Sequence, residues 1–187
     1  MNLLVLGPQG AGKGTQAKRI SAEYGIPHIA TGDLFRAAIA AGTELGREVE
    51  PLLDSGTLVP DTITIALIRE QLSDVEGFVL DGFPRNLAQA EALDEMLGRI
   101  GRELDAILFF DISDSIGRER ALSRAAIEGR SDDTLEVISR RLETYHRETE
   151  PIVEHYRTTG KLVPLHAGRT IEEVWAEISD ALRLVAA

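Results

Sequence analysis

The chain has 187 residues, enough for one domain with a true core, since folding at that size buries roughly two-thirds of the unfolded chain's surface. Its formal net charge of −11 argues against broad electrostatic binding to nucleic acid or anionic membranes, so a polyanionic ligand would need basic residues gathered locally. Cysteine is absent, which excludes disulfides and a thiolate-bound structural zinc. No apolar run approaches the ~20 residues that cross a bilayer. Gly7 and Pro8 break the first apolar run too early for a secretory signal, so a cytoplasmic location is expected.

The first apolar run, Leu3–Leu6, reads as a strand and leads into Gly7-Pro8-Gln9-Gly10-Ala11-Gly12-Lys13-Gly14-Thr15. A helix from Gly12 to Tyr24 follows, with Ala17, Ile20 and Tyr24 at helical spacing and Gly25 and Pro27 to stop it. That context gives the glycine-rich string its meaning. Glycines allow backbone N–H groups to turn inward around phosphate oxygens, and the helix N-terminus adds partial positive charge at the same place. Lys13 adds a full charge that can follow a transferring phosphoryl group. Gly10, Ala11, Gly12, Lys13, Gly14 and Thr15 are therefore candidate nucleotide-phosphate contacts, with Lys13 catalytic.

A second strand, His28–Ala30, opens a stretch from Thr31 to Pro60 that is too long for a minimal connection and carries two or three short helices punctuated by Gly42 and Gly56. The third strand, Phe78–Leu80, runs into Asp81-Gly82-Phe83-Pro84-Arg85, and the fourth spans Ala106–Phe110. Between two later helices, Arg120 to Asp133 is arginine-rich with Gly129 inside it. After a fifth strand, Leu162–Leu165, Thr170-Ile171-Glu172-Glu173 forms a capping box. The helix it opens has an inward stripe of Val174, Ile178 and Leu182, with Trp175 beside it as packing. Strands alternating with helices imply an α/β fold with a parallel sheet covered on both faces, and such sheets bind ligands at the C-terminal ends of their strands.

Gly14 follows the lysine and the hydroxyl comes one residue later at Thr15, a form that resembles nucleoside monophosphate kinases rather than GTPases or helicases. Thr31-Gly32-Asp33-Leu34-Phe35-Arg36 and Asp81–Arg85 resemble two signatures of the adenylate kinases, and the similarity, to the short-lid form of that family, spreads over essentially the whole chain. The resemblance implies a P-loop fold with a five-stranded parallel sheet flanked by helices. Its core would be residues 1–30, 61–119 and 134–187, with an AMP-binding helical flap at 31–60 and a short arginine-rich lid at 120–133. It also implies reversible phosphoryl transfer from Mg-ATP to AMP, giving two ADP, by a monomer whose partners are ATP, AMP and ADP rather than nucleic acid or membrane.

The residue roles implied by the same resemblance are specific. Arg36 and Arg85 would hold the AMP phosphate, beside Gly82, Phe83 and Pro84, while Asp81 and Thr15 would hold Mg²⁺ through water. Thr31 and Gln89 stand at the adenine-reading positions, where the UMP/CMP kinases carry alanine and asparagine; a glutamine amide can donate and accept at once, as an adenine edge requires. Thr57, Leu58 and Val59 would contact the adenosine of AMP through the backbone. Arg120 or Arg124 would cover ATP, with Arg120 placed to stack on its adenine, and Arg130 and Arg141 would reach the phosphates between the two nucleotides. Arg85, Arg124, Arg130 and Arg141 thus join Lys13 as catalytic candidates, since phosphoryl transfer is mostly positioning and charge neutralisation. Arg169 stands where a glycine is common, in a loop whose backbone carbonyl would meet the ATP adenine. Arg118, Arg140 and Arg147 are expected to pair with local glutamates on exposed helix faces, and the four histidines show no metal-ligand spacing.

Other readings compete. A UMP/CMP-type kinase is opposed by Thr31 and Gln89. A nucleotide-dependent switch or binding protein would lack the guanine-reading Asn-Lys-x-Asp string and would leave the acceptor arginines unexplained, and a structural protein with a relic phosphate loop would have no use for the arginine lid.

Overall fold

The computed structural model describes residues 1–128 and 133–185. Its centre is β1 (Asn2–Leu6), buried at every position. Along it Leu3 and Val5 enter one core cluster and Leu4 and Leu6 the other, because side chains alternate across a strand. Burial on both faces is why the segment reads as a continuous apolar run. The other strands are β2 (His28–Ala30), β3 (Phe78–Asp81), β4 (Ala106–Asp111) and β5 (Leu162–His166). All pair in parallel in the order β2-β3-β1-β4-β5.

All five predicted strands are present, and β3, β4 and β5 each run one residue beyond the predicted end. Those extra residues are Asp81, Asp111 and His166, polar groups that the ladder includes although their side chains do not belong to a core. Asp81 thus closes β3 and pairs with Val5 in register.

One face is covered by α1 (Lys13–Tyr24) and α9 (Ile171–Val185), which bury Ala17 and Ile20, and Val174, Ile178 and Leu182, against Val79 and Leu108. The capping box of α9 forms in both directions: Glu173 N donates to Thr170 Oγ1 at 3.3 Å and Thr170 N donates to Glu173 Oε2 at 3.0 Å. Trp175 packs partly buried against that cluster, with the Arg19 guanidinium 4.4 Å from its ring centroid. The opposite face is covered by α4 (Asp61–Ser73) and α5 (Leu87–Arg99), whose Ile68, Leu72, Leu93 and Leu97 meet Leu4, Leu80 and Ile107.

Residues 31–60 fold into α2 (Thr31–Ala40) and α3 (Glu44–Ser55), which share a small core of their own around Phe35, Val49 and Val59. The arginine-rich region is carried by α6 (Asp114–Glu128) and α7 (Leu135–Thr144). A π-helical turn, Tyr145–Thr149, then links α7 to α8 (Glu150–Arg157). Arg130 lies outside the described residues, as do the neighbouring lid positions 129, 131 and 132.

Candidate active site

β1 and β3 are neighbours in the sheet, so the loops at their C-terminal ends lie side by side. The loop after β1 must turn tightly under α6. Gly10 has φ +80°, and a Cβ there would stand 1.9 Å from the Gly117 carbonyl oxygen, so no other residue fits. Lys13 at the start of α1 donates from Nζ to the carbonyls of Gly7 and Pro8, both at 2.7 Å. Burial lowers its pKa to about 8; Asp81 opposes this and Arg85 and Arg124 add to it.

Asp81 faces the same loop: a Cβ on Gly14 would lie 3.4 Å from its Oδ2. Burial alone would raise its carboxyl, but His28, whose Nε2 is 3.5 Å from Oδ2, and then Lys13 and Arg85 hold it below its ordinary value. An ionised carboxylate facing the phosphate loop is a hard oxygen donor, suited to Mg²⁺ held through water and shared with substrate phosphates. Among the described residues no group of three or more His, Asp or Glu could hold a metal by itself. Asp81 and Thr15, which line the same cavity, fit Mg²⁺ brought with a nucleotide.

Arg85 follows in the loop after β3. Its Nε donates to Gly82 O at 2.7 Å, and its own carbonyl accepts from Thr149 Oγ1 at 2.7 Å, so the π-helical turn braces the loop. Burial lowers its pKa, as do Arg141 and Arg36, with Asp81 acting against them. A cluster of cations that disfavour one another's charge is a site for an anion. Thr31 is buried, and its hydroxyl donates to Gly82 O at 2.8 Å, tying the start of α2 to the same loop. Gln89, in the first turn of α5, accepts from Arg85 N at 2.8 Å and donates to Asp61 Oδ1 at 2.7 Å.

Arg124 and Arg141 converge on a residue that sequence reasoning did not single out. Asp133, its side chain 0% exposed, receives Arg124 at 2.6 Å and Arg141 at 2.5 Å, while Gln9 of the phosphate loop donates to it at 2.7 Å. Arg124 Nε is buried with no acceptor among the described residues. Arg141 also donates to Leu53 O at 2.9 Å and Arg140 to Ser55 O at 2.7 Å, joining α7 to the end of α3. Arg120 donates to the carbonyls of Ala167, Gly168 and Arg169 at 2.7–3.2 Å, while the Arg169 side chain turns away to Glu177 at 2.7 Å. At Arg169 it is thus the backbone that faces the site.

Of the other expected pairs, Arg140 meets Glu136 at 3.2 Å and Arg147 meets Glu148 at 2.8 Å. Arg118 makes no ion pair among the described residues. His146, His155 and His166 each pair with carboxylates, as His28 does with Asp81.

The phosphate loop, the loop after β3, the start of α2 and Arg120, Arg124 and Arg141 open on one cavity of about 880 Å³. Every sequence-predicted site residue among the described ones lines it except Phe83. The Phe83 side chain is 1% exposed and packs in the core with Leu80 and Leu93, because the chain turns it inward while Gly82, Pro84 and Arg85 face the cavity. His28, Tyr145 and Thr149 line the cavity too and carried no sequence signal of their own.

A parallel α/β sheet with a lysine-bearing glycine loop at the end of its central strand, facing an arginine-lined acceptor pocket, defines a P-loop phosphotransferase. The family model described as Adenylate kinase matches residues 5–161. An adenylate kinase of Caulobacter vibrioides is 47% identical over 190 aligned residues, covering 100% of both chains. One from Thermobifida fusca is 45% identical, with 98% of each chain covered, and one from Xanthomonas euvesicatoria pv. vesicatoria is 44% identical, over 97% of this chain and 99% of its own. The chain belongs to the adenylate kinase family, the enzymes of ATP:AMP phosphoryl transfer and adenine nucleotide balance.

Proposed function

We propose that this enzyme carries out reversible transfer between ATP and AMP by seating the two nucleotides at opposite ends of one large cavity. The observation that supports this best is the adjacency of β1 and β3, which brings the loop carrying Lys13 and the loop carrying Arg85 into one space. ATP lies along Gly10–Thr15, under Arg120 and Arg124 and against the backbone at Arg169. AMP lies between the flap residues Thr31, Arg36 and Thr57–Val59 and the loop Gly82–Arg85, with Gln89 and Thr31 reading its base.

Lys13, Arg85, Arg124 and Arg141 gather around the charge that builds up during transfer, a role the sequence also assigns to Arg130. No side-chain base is needed, because the attacking oxygen belongs to an AMP phosphate that is already anionic. Mg²⁺, held through water by Asp81 and Thr15, would neutralise charge on the ATP phosphates. The flap 31–60, with its own small core, and the lid 120–133 close over the nucleotides and exclude water that would otherwise compete as acceptor. Arg140 and Arg141 reach from α7, which follows the lid, to the flap carbonyls of Ser55 and Leu53, a contact that supports this closure. The enzyme works as a cytoplasmic monomer without nucleic-acid or membrane partners, because one chain supplies both nucleotide sites and its net charge is −11.

The test is calorimetric titration with an inhibitor that joins two adenosines through five phosphates. One molecule should bind per chain, exclude both ATP and AMP, and bind more weakly as salt rises. Simultaneous binding of the inhibitor and AMP would show that the two sites do not share one cavity.

A further inference from the structure

We propose that Asp61 is a positioning residue that fixes the orientation of the Gln89 amide, and thereby makes the acceptor site select a 6-aminopurine over a 6-oxopurine. This rests on the reading of Gln89 as a base-reading residue.

Gln89 is 1% exposed and lines the cavity. Its Oε1 accepts from Arg85 N at 2.8 Å, and its Nε2 donates to Asp61 Oδ1 at 2.7 Å. Both partners are chemically unambiguous: a backbone N–H can only donate, and an aspartate carboxylate serves as acceptor. A reversed amide would set oxygen against oxygen at Asp61 and N–H against N–H at Arg85, leaving buried polar groups unsatisfied at both ends. Asp61 is itself held in place. Asn86 Nδ2 donates to the same Oδ1 at 2.9 Å, while Asn86 Oδ1 accepts from Gln89 N at 2.9 Å as the cap of α5. The carboxylate sits in the first turn of α4, where helix polarity favours an acidic group, directly after the flap segment 57–60.

An amide has two N–H donors and two acceptor lone pairs, and here the protein uses one of each. What remains for a ligand is one donor and one acceptor in a fixed order. Adenine presents an acceptor at N1 beside a donor at N6, which that order matches in one way round. Hypoxanthine and guanine present the inverse, N–H at N1 beside an oxygen at C6. Turning the amide over would accommodate them, and Asp61 is what prevents the turn.

The experiment compares kcat/KM for AMP and for inosine monophosphate, with ATP as donor, in the wild type, Asp61→Ala, Asp61→Asn, Gln89→Ala and Asp61→Ala/Gln89→Ala. Asp61→Ala should lower the AMP-to-IMP ratio at least about 10-fold, through a higher KM for AMP and a gain with IMP, while the KM for ATP stays within about twofold. Asp61→Asn, which keeps an acceptor oxygen, should retain most of the ratio. Adding Asp61→Ala to Gln89→Ala should change the ratio no further. Asp61→Leu serves the same purpose if the alanine variant does not fold, since it fills the same space without an acceptor. An unchanged ratio in Gln89→Ala would overturn the base-reading role on which the inference rests. A ratio that collapses in Gln89→Ala but survives in a folded Asp61→Ala or Asp61→Leu would overturn the positioning role alone.

Discussion

Gln9 Nε2 in the phosphate loop lies 2.7 Å from Asp133 Oδ1 at the foot of the lid, across 124 residues of sequence. The same buried carboxylate holds Arg124 and Arg141, so one acceptor ties the phosphate loop to two of the cations proposed to neutralise the transferring phosphoryl group. Replacing Asp133 by asparagine removes the carboxylate charge that both guanidiniums contact. Breaking a buried pair in this way costs about 3 kcal/mol, reduced here because the arginines are 20–32% exposed. Turnover should fall at least about 10-fold as the arginines lose their fixed positions. Urea unfolding and steady-state kinetics on Asp133→Asn check both. Wild-type turnover in that variant would mean that Arg124 and Arg141 act independently of this anchor.

Lys13 is the cation closest to the loop carbonyls that would flank the ATP phosphates, with Nζ 2.7 Å from Gly7 O and Pro8 O. Lys13→Met keeps the length of the side chain and removes its charge. Turnover should drop at least about 10³-fold, equivalent to roughly 4 kcal/mol of transition-state stabilisation. The melting temperature should hold, because a buried charge with a depressed pKa does not stabilise the fold. Near-normal turnover in the folded variant would remove the phosphate-loop assignment.

His146 ties two elements together, with Nδ1 2.9 Å from Glu150 and Nε2 3.0 Å from Asp114 at the base of the lid helix. Its pKa is raised, first by the hydrogen bond to Glu150 and then by that to Asp114, so the charged form is the bonded form. A raised folded-state pKa contributes stability that is fully present below the unfolded value of about 6.5 and is lost as pH rises through the folded value. The group is largely exposed, so the effect is small, about 0.5 kcal/mol. The melting-temperature difference between wild type and His146→Gln should therefore be larger at pH 5.5 than at pH 8.5. A difference that does not change with pH would mean that the imidazole charge is not what joins these elements.

What was legible in the sequence follows from which signals are local. β1 is read directly over Leu3–Leu6 because those residues are apolar and buried, and α9 because its capping box and its Val174, Ile178 and Leu182 stripe are both short-range patterns. The final residues of β3, β4 and β5 were not, since pairing with a neighbouring strand rather than apolarity decides them. The π-helical turn at Tyr145–Thr149 has no sequence pattern; it shows only in the way it brings Thr149 to the Arg85 carbonyl. Motif reading located the loop Gly82–Arg85 but could not tell that Phe83 turns into the core while its neighbours face the cavity. Gln9–Asp133 and Gln89–Asp61 were invisible because both join segments brought together only by the tertiary fold.

The most direct measurement is ADP formation from ATP with AMP, CMP, UMP or GMP as acceptor, beside a control with no acceptor. Thr31 and Gln89 at the acceptor end of the cavity predict kcat/KM for AMP at least about 100-fold above the others, with negligible ADP from ATP alone. Comparable rates with CMP or UMP, or ADP formed equally fast without any acceptor, would contradict the assignment of this cavity to ATP:AMP phosphoryl transfer.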